Sequence, residues 1–120
     1  MKRILIVEDQ AEIRELIRMT LEIEDWDIQE ASDGVTGLDL ARKTKPDVVL
    51  LDVMMPGGMD GFTVCERLRA DPGFKRTSIV MLTAMGRTED KERGLKAGAD
   101  AYLAKPFSPR NLLSVIDGLK

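Results

Sequence analysis

The sequence predicts a single α/β domain, and two observations carry that prediction. Short apolar segments rich in β-branched residues alternate five times with segments whose apolar residues recur at helical spacing. Strict alternation of this kind is typical of a parallel sheet covered by helices on both faces. The chain has 120 residues, enough for one domain with a real core, so residues 1–120 are expected to form one domain.

The five predicted strands differ in pattern, and the differences predict their places in the sheet. The first, third and fourth strands are almost uninterrupted apolar runs, as expected at the sheet centre. The second strand alternates apolar and polar residues and the fifth is short, so both fit the edges. The resulting strand order is 2-1-3-4-5, a flavodoxin-like (βα)5 arrangement with right-handed crossovers. The strands are predicted at Arg3–Glu8, Trp26–Ala31, Asp47–Asp52, Ser78–Thr83 and Asp100–Ala104.

Five helical segments follow the strands, and some of their ends carry capping signals. Ser32 is the predicted N-cap of the second helix, and Ser108 that of the fifth. Gly98 is the predicted stop of the fourth helix. That fourth helix is polar, and Leu95 and Ala97 are its main predicted apolar anchors. The helices are predicted at about residues 10–24, 33–43, 61–70, 88–97 and 109–120.

Composition excludes several classes of function. The net charge is −3, so no basic field favours nucleic acid or an anionic membrane. No apolar run approaches the ~20 residues of a membrane span. A single cysteine, Cys65, precludes an internal disulfide and favours a reducing, cytoplasmic location. The chain has no histidine, which excludes Ser-His and Cys-His catalysis and any histidine-ligated metal.

Polar residues stand where the predicted strands stop. Glu8 and Asp9 end the first strand, Asp52 ends the third, Thr83 ends the fourth, and Lys105 follows the fifth. Because the carboxyl ends of parallel strands share one edge of the sheet, we expect these side chains to converge.

Three converging carboxylates repel one another unless a cation lies among them. Oxygen ligands without histidine favour a hard cation, Mg²⁺ before transition metals. Asp52 would then be tolerated beside so much hydrocarbon, and a carboxylate held this way can act as a nucleophile that forms an aspartyl phosphate. Lys105, the Thr83 hydroxyl and the backbone N–H of Ala84 would contact an incoming phosphoryl group.

These residues form an ordered set that resembles a known family. Glu8-Asp9, the segment LLDVMMPGGMDG around Asp52, Thr83-Ala84, Tyr102 and Lys105-Pro106-Phe107 are similar to the motifs of receiver domains in bacterial two-component response regulators, such as the chemotaxis regulators. The resemblance covers essentially the whole chain.

The resemblance implies roles for individual residues. Asp52 would accept a phosphoryl group from a phosphohistidine on a sensor histidine kinase or a histidine phosphotransfer protein. Asp9, Asp52 and the backbone carbonyl of Met54 would bind Mg²⁺ directly, and Glu8 would help through water. The chain would be a self-phosphorylating acceptor with autodephosphorylation, and not an enzyme with a turned-over substrate.

The resemblance also implies a switch. Thr83 would move toward the phosphate, Tyr102 would turn inward behind it, and Lys105 would contact the phosphoryl oxygens. The Lys105–Pro106 bond would be cis, which an X-Pro bond allows at low cost.

Partners follow from the same resemblance. A downstream output protein or domain would read the face formed by the fourth helix, fifth strand and fifth helix, and a phosphorylation-linked homodimer is a further expectation. No direct contact with nucleic acid or membrane is expected of this chain. The family commonly has one residue between the proline after the acceptor and Met-Asp-Gly, whereas Gly57 and Gly58 make two here.

Two other functions compete with this interpretation. A pseudo-receiver of the same fold would act as a binding scaffold without phosphorylation, but the intact Asp9, Asp52, Thr83 and Lys105 argue against it. A Mg²⁺-dependent phosphatase with an aspartate nucleophile usually carries an Asp-x-Asp pair, and here Met54 occupies the second position. We also hypothesise that apolar Met54 and Met85, which flank the phosphoryl site in the family, lengthen the lifetime of the phosphoryl group.

Overall fold

The described part of the chain folds into a five-stranded parallel sheet flanked by five α-helices. The computed structural model describes residues 2–55, 58–84 and 88–119. The strands are β1 (Lys2–Val7), β2 (Trp26–Ala31), β3 (Val48–Asp52), β4 (Ser78–Ala84) and β5 (Ala101–Lys105). The helices are α1 (Ala11–Leu21), α2 (Gly34–Thr44), α3 (Gly61–Ala70), α4 (Thr88–Ala97) and α5 (Pro109–Asp117). The strand order is β2-β1-β3-β4-β5 with every neighbouring pair parallel, so the predicted fold is confirmed.

The alternation of side chains along the strands divides the core between the two faces of the sheet. One face carries Ile4, Ile6, Leu50 and Leu82, and α1 and α5 cover it. The other face carries residues such as Met81, and α2, α3 and α4 cover it. Strands β1, β3 and β4 are buried on both faces, which explains their uninterrupted apolar sequences.

The predicted N-cap of α2 is wrong by one residue. Asp33, and not Ser32, caps the helix: its backbone is extended, and its carboxylate accepts a hydrogen bond from the N–H of Thr36 at 2.7 Å. The helix begins at Gly34, where an added Cβ would lie only 2.6 Å from the carbonyl oxygen of Met59. The close approach of α2 to the segment after β3 therefore fixes where the helix starts.

The ends of the later helices follow the predicted signals. The Ser108 hydroxyl accepts from the Asn111 N–H, and the Asn111 side chain accepts from the Ser108 N–H, so α5 begins with a capping box. Gly98, just after α4, has a φ of +106°, the left-handed conformation that glycine adopts at no steric cost.

Helix α4 is attached differently from the prediction. Ala97 is buried as expected, but Leu95 is 51% exposed and is not an anchor. The second anchor is Gly94, where an added Cβ would lie 3.3 Å from Cγ of Met81. A glycine and an alanine bring the helix close to the sheet without burying large side chains.

A single arginine ties the end of α3 to the start of β4 and to the segment between α4 and β5. The Arg69 guanidinium donates to the carbonyl oxygens of Phe74, Thr77 and Gly98 at 2.7 to 2.9 Å. It also pairs with the carboxylate of Asp100, which accepts from the backbone N–H of Ile79 at 2.8 Å. No helix in the described ranges is long and apolar enough to cross a membrane.

Candidate phosphorylation and metal site

Strand periodicity places three of the predicted site residues on one face of the sheet. Glu8 follows β1, Asp52 ends β3 and Lys105 ends β5. Each of these three residues lies two positions beyond a core residue of its own strand, namely Ile6, Leu50 and Leu103. Because side chains alternate along a strand, all three are on the face that α1 and α5 cover. The last layer of side chains on this face therefore consists of two carboxylates and an ammonium and not of apolar groups.

The carboxylates and the ammonium form a buried ion-pair cluster. Glu8 and Asp52 are 0% and 3% exposed. The Nζ of Lys105 lies 2.6 Å from Oε1 of Glu8 and 3.2 Å from Oδ1 of Asp52. The backbone N–H of Gln10 donates to the other oxygen of Glu8 at 3.1 Å. Lys105 thus offsets two buried charges that would otherwise be costly.

Asp9 joins the same cluster from the exposed side. One carboxylate oxygen from each of Glu8, Asp9 and Asp52 lies within 4.8 Å of the other two. Oε1 of Glu8 is buried and accepts no hydrogen bond of good geometry from the described residues, although the Lys105 ammonium is near. The donor set is all oxygen and carries more negative charge than Lys105 can balance, so these residues fit a hard divalent cation such as Mg²⁺.

Crowding of the carboxylates changes their proton affinity. The pKa of Asp52 is raised to about 8, because burial disfavours its charged form and because Asp9 and Glu8 lie beside it. Burial alone would raise the pKa of Asp9, but its hydrogen bonding with Asp52 and Glu8 lowers it. Burial works against the charge of Lys105, but the close contact with Glu8 and the charge of Asp52 raise its pKa. Without a cation, Asp52 is therefore harder to ionise than an ordinary carboxyl group.

The first residue of α3 packs closely against the backbone of Asp52. An added Cβ at Gly61 would lie 2.2 Å from the carbonyl oxygen of Asp52, so only glycine allows this approach. The Gly61 N–H donates to the carbonyl of Val53 at 3.1 Å, and Asp60 caps the helix by accepting from the N–H of Thr63 at 2.9 Å. The cap thus starts α3 at Gly61, beside the backbone of Asp52.

Met54 lies beside the cluster and its side chain is 63% exposed. Its backbone N–H donates to Oδ1 of Asp52 at 3.3 Å, which places its main chain next to the acceptor carboxylate. Pro56, Gly57 and Met85 lie outside the described residues. The expectations about the extra glycine after Pro56 and about Met85 therefore stay predictions.

The predicted switch residues lie on the opposite face of the sheet from the acidic cluster. Thr83 is buried on β4, one residue beyond Leu82, which pairs with Asp52. Tyr102 on β5 pairs with Met81, two residues before Thr83, so both side chains are on the face beneath α4. Tyr102 is 36% exposed, and the Nζ of Lys91 lies 4.6 Å from the centre of its ring. The backbone of Ala84 ends β4 at the level of Lys105.

The turn after β5 completes the edge of the site. The peptide bond between Lys105 and Pro106 is cis, the isomer that the resemblance implied. Lys105, Pro106 and Phe107 line an apolar groove of about 320 Å³ with Ile13 and Leu16 of α1.

Sequence reasoning missed Arg14, which supports the turn between β1 and α1. Its guanidinium donates to the carbonyl oxygen of Glu8 at 2.8 Å and pairs with the carboxylate of Glu30 at 3.4 Å. The position of an arginine within a helix gives no signal for such a contact, because it depends on the path of β2. Arg14 holds the backbone from which Glu8 and Asp9 project.

Comparisons with known proteins agree with this geometry. The family model of the response regulator receiver domain matches residues 4–117. RpaA of Synechocystis, a DNA-binding dual master transcriptional regulator, is 44% identical over 119 residues, which cover 99% of this chain and 49% of RpaA. The chain spans about half the length of curated relatives such as RpaA and ResD of Bacillus subtilis.

Solved structures show the same fold. The chemotaxis response regulator CheY4 of Vibrio cholerae is 35% identical with a TM-score of 0.93, covering 100% of this chain and 99% of CheY4. The receiver domain of the sensor histidine kinase PA1611 of Pseudomonas aeruginosa is 30% identical with a TM-score of 0.88, covering 98% and 96% of the two chains. That structure has a magnesium ion coordinated in its active-site cleft. Together with the fold and the acidic edge of the sheet, these matches show that the chain belongs to the receiver domains of two-component response regulators.

Proposed function

We propose that this receiver domain is a phosphorylation-activated switch in which Asp52 accepts the phosphoryl group. The observation that carries the proposal is the cluster of Asp52 with Glu8, Asp9 and Lys105, in which one oxygen of Asp52 lies 3.2 Å from the ammonium. A buried carboxylate beside a fixed ammonium and two further acidic groups is suited to nucleophilic phosphoryl transfer.

The transfer forms one bond and breaks one bond. A carboxylate oxygen of Asp52 attacks the phosphorus of the donor, and the bond between phosphorus and the imidazole nitrogen of a phosphohistidine breaks, with the electron pair leaving on that nitrogen. Asp52 must give up its proton before it can attack, because its pKa is raised to about 8 in the metal-free cluster. Lys105, the Thr83 hydroxyl and the Ala84 N–H then contact the phosphoryl oxygens.

Three groups of this chain would hold Mg²⁺: the carboxylates of Asp9 and Asp52, and the backbone carbonyl of Met54, with Glu8 contributing through water. The bound ion would offset the negative charge that accumulates between the carboxylates and the phosphoryl group. The all-oxygen set and the buried, incompletely bonded Oε1 of Glu8 support this assignment.

The signal would pass from Thr83 to Tyr102 and to the face formed by α4, β5 and α5. Helix α4 rests on small residues, so a shift of this element would cost little packing energy. Phosphorylation would change the population of two arrangements of this face.

The partners we propose are of two kinds. A sensor histidine kinase or histidine phosphotransfer protein supplies the phosphoryl group, since the chain itself has no histidine. A downstream output domain or protein, or a second receiver in a homodimer, reads the altered face in the cytoplasm. RpaA is a DNA-binding transcriptional regulator, but we assign no direct contact with DNA to residues 1–120, which would act as one domain.

The test is the intact mass of the protein after incubation with acetyl phosphate. We expect one phosphoryl adduct that requires Mg²⁺ and is absent in Asp52→Asn. The matched control is Asp39→Asn, which changes an exposed carboxylate on α2 that pairs with Lys43 at 3.1 Å and should phosphorylate normally. If neither acetyl phosphate nor a phosphorylated kinase modified the wild-type protein, the pseudo-receiver would be favoured instead.

A further inference from the structure

Helices α2 and α3 enclose a groove on the face of the sheet opposite the acidic cluster. Its volume is about 390 Å³. Beside the groove the two helices pack closely at Gly34, where an added Cβ would meet the Met59 carbonyl oxygen at 2.6 Å and Cγ2 of Val64 at 3.1 Å.

The floor of the groove is apolar. Leu38 belongs to the buried core, and Met59 packs against that core while half-buried. Val35 is 57% exposed at the open side. Covering apolar surface of this kind with a partner lowers the free energy of the complex.

Two arginines stand at the rim without acidic partners. Arg42 lies in the last turn of α2 and Arg67 in the last turn of α3, and both line the groove. Neither guanidinium forms an ion pair with any residue in the described ranges. The carboxylate of Asp39 also lines the groove, but Lys43 already pairs with it at 3.1 Å. The groove therefore offers two uncompensated positive charges around an apolar floor.

We propose that this groove is a docking site for an acidic amphipathic segment of a partner protein. Apolar side chains of the segment would cover Val35 and Met59, and its carboxylates would pair with Arg42 and Arg67. An arginine binds a carboxylate through two parallel hydrogen bonds, so two such arginines also fix the orientation of the segment.

Charge and shape favour a protein segment over nucleic acid. Nucleic-acid binding requires many cations along a phosphate backbone, whereas this groove has two arginines and the whole chain has a net charge of −3. A phosphate backbone would also leave the apolar floor uncovered. A carboxylate-flanked apolar segment satisfies both features at once.

The test uses a defined probe, a fluorescein-labelled helical peptide that carries leucines at i and i+4 between glutamates. Fluorescence anisotropy measures its binding, and amide NMR spectra of the isotope-labelled protein locate it. We expect saturable binding and shifts at Val35, Arg42, Met59 and Arg67. The double variant Arg42→Glu/Arg67→Glu should weaken binding at least about tenfold, which corresponds to the loss of two partly exposed charge pairs.

The matched control is Arg76→Glu/Arg110→Glu, which reverses two exposed arginines that do not line the groove. It should bind the peptide as the wild type does. Circular dichroism of every variant shows that loss of binding is not loss of folding.

Four results would overturn the proposal. They are equal binding by the two double variants, shifts confined to another face, equal binding of a peptide with lysine in place of glutamate, and no saturable binding at all. Displacement of the peptide by a DNA oligonucleotide that also depends on Arg42 and Arg67 would assign the groove to nucleic acid instead.

Discussion

Replacing Asp52 by asparagine should stabilise the metal-free protein, although it removes the proposed acceptor. The wild-type cluster places three carboxylates within 4.8 Å of one another, and Lys105 balances only part of their charge. Asparagine has nearly the same volume and removes the group that titrates. Lys105 keeps its contact with Glu8 at 2.6 Å in the variant.

The magnitude follows from the pKa of Asp52, which is raised from 3.8 to about 8. Each pKa unit corresponds to about 1.4 kcal/mol, so retaining this group costs up to ~4 kcal/mol at neutral pH. The lowered pKa of Asp9 offsets part of that cost in the wild type. We therefore expect Asp52→Asn to increase the free energy of unfolding by roughly 2 kcal/mol. For a domain of this size, such a gain raises the unfolding midpoint by roughly 10 °C.

The pH dependence has a definite sign. Between the unfolded pKa of 3.8 and the folded pKa of about 8, the native state holds a proton that the unfolded state has released. The free energy of unfolding of the wild type should therefore fall as pH rises through this window, and it should level off above it. Asp52→Asn should remove most of this slope.

Thermal unfolding followed by circular dichroism, with EDTA or with Mg²⁺, measures both effects. Mg²⁺ should stabilise the wild type and have less effect on Asp52→Asn. The control is Asp27→Asn, because Asp27 is a partly exposed carboxylate 3.8 Å from Arg3 and its removal should change stability by at most about 1 kcal/mol. An Asp52→Asn protein that is less stable than wild type in EDTA near neutral pH would refute the electrostatic reasoning.

Four further predictions concern binding, stability and kinetics. The apparent Mg²⁺ affinity, measured by calorimetry, should increase with pH up to the pKa of Asp52 at about 8, because the ion displaces a proton; an affinity independent of pH would contradict this. Arg69→Met should lower the free energy of unfolding in urea by roughly 3 kcal/mol, since three carbonyl groups and a carboxylate lose their donor; a change below about 1 kcal/mol would show that water replaces it. Gly61→Ala should slow phosphorylation and lower the unfolding midpoint, because the new Cβ would meet the Asp52 carbonyl at 2.2 Å; unchanged kinetics would mean that α3 moves freely. Met54→Asn should shorten the lifetime of the phosphoryl group, measured by the decay of the adduct, because an exposed amide beside Asp52 can orient water; an unchanged lifetime would remove Met54 from that role.

The fold was predictable because each strand carries its own signal. Burial on both faces produces the apolar runs of β1, β3 and β4, and exposure at the edges produces the patterns of β2 and β5. The site was predictable as well, because a polar residue directly after a buried strand is unexpected unless it has a functional role. Strand ends in a parallel sheet must meet, so Asp52 and Lys105 could be placed together before any distance was known.

Features that depend on long-range contacts were not predictable. Ser32 and Asp33 are both good N-caps by type, and the approach of Gly34 to Met59 decides between them. Leu95 has the spacing of an anchor, but small residues bring α4 so close that its larger side chain points to solvent. The bonds of Arg69 join segments up to 31 residues apart, and no local pattern encodes them.

Borohydride trapping identifies the phosphorylated residue chemically. An aspartyl phosphate is an acyl phosphate, and borohydride reduces it to homoserine, which peptide mass spectrometry locates. After incubation with acetyl phosphate and Mg²⁺, we expect homoserine at Asp52 and unmodified aspartate at Asp9. Homoserine at Asp9, or at neither position in a protein that carries a phosphoryl adduct, would contradict this expectation.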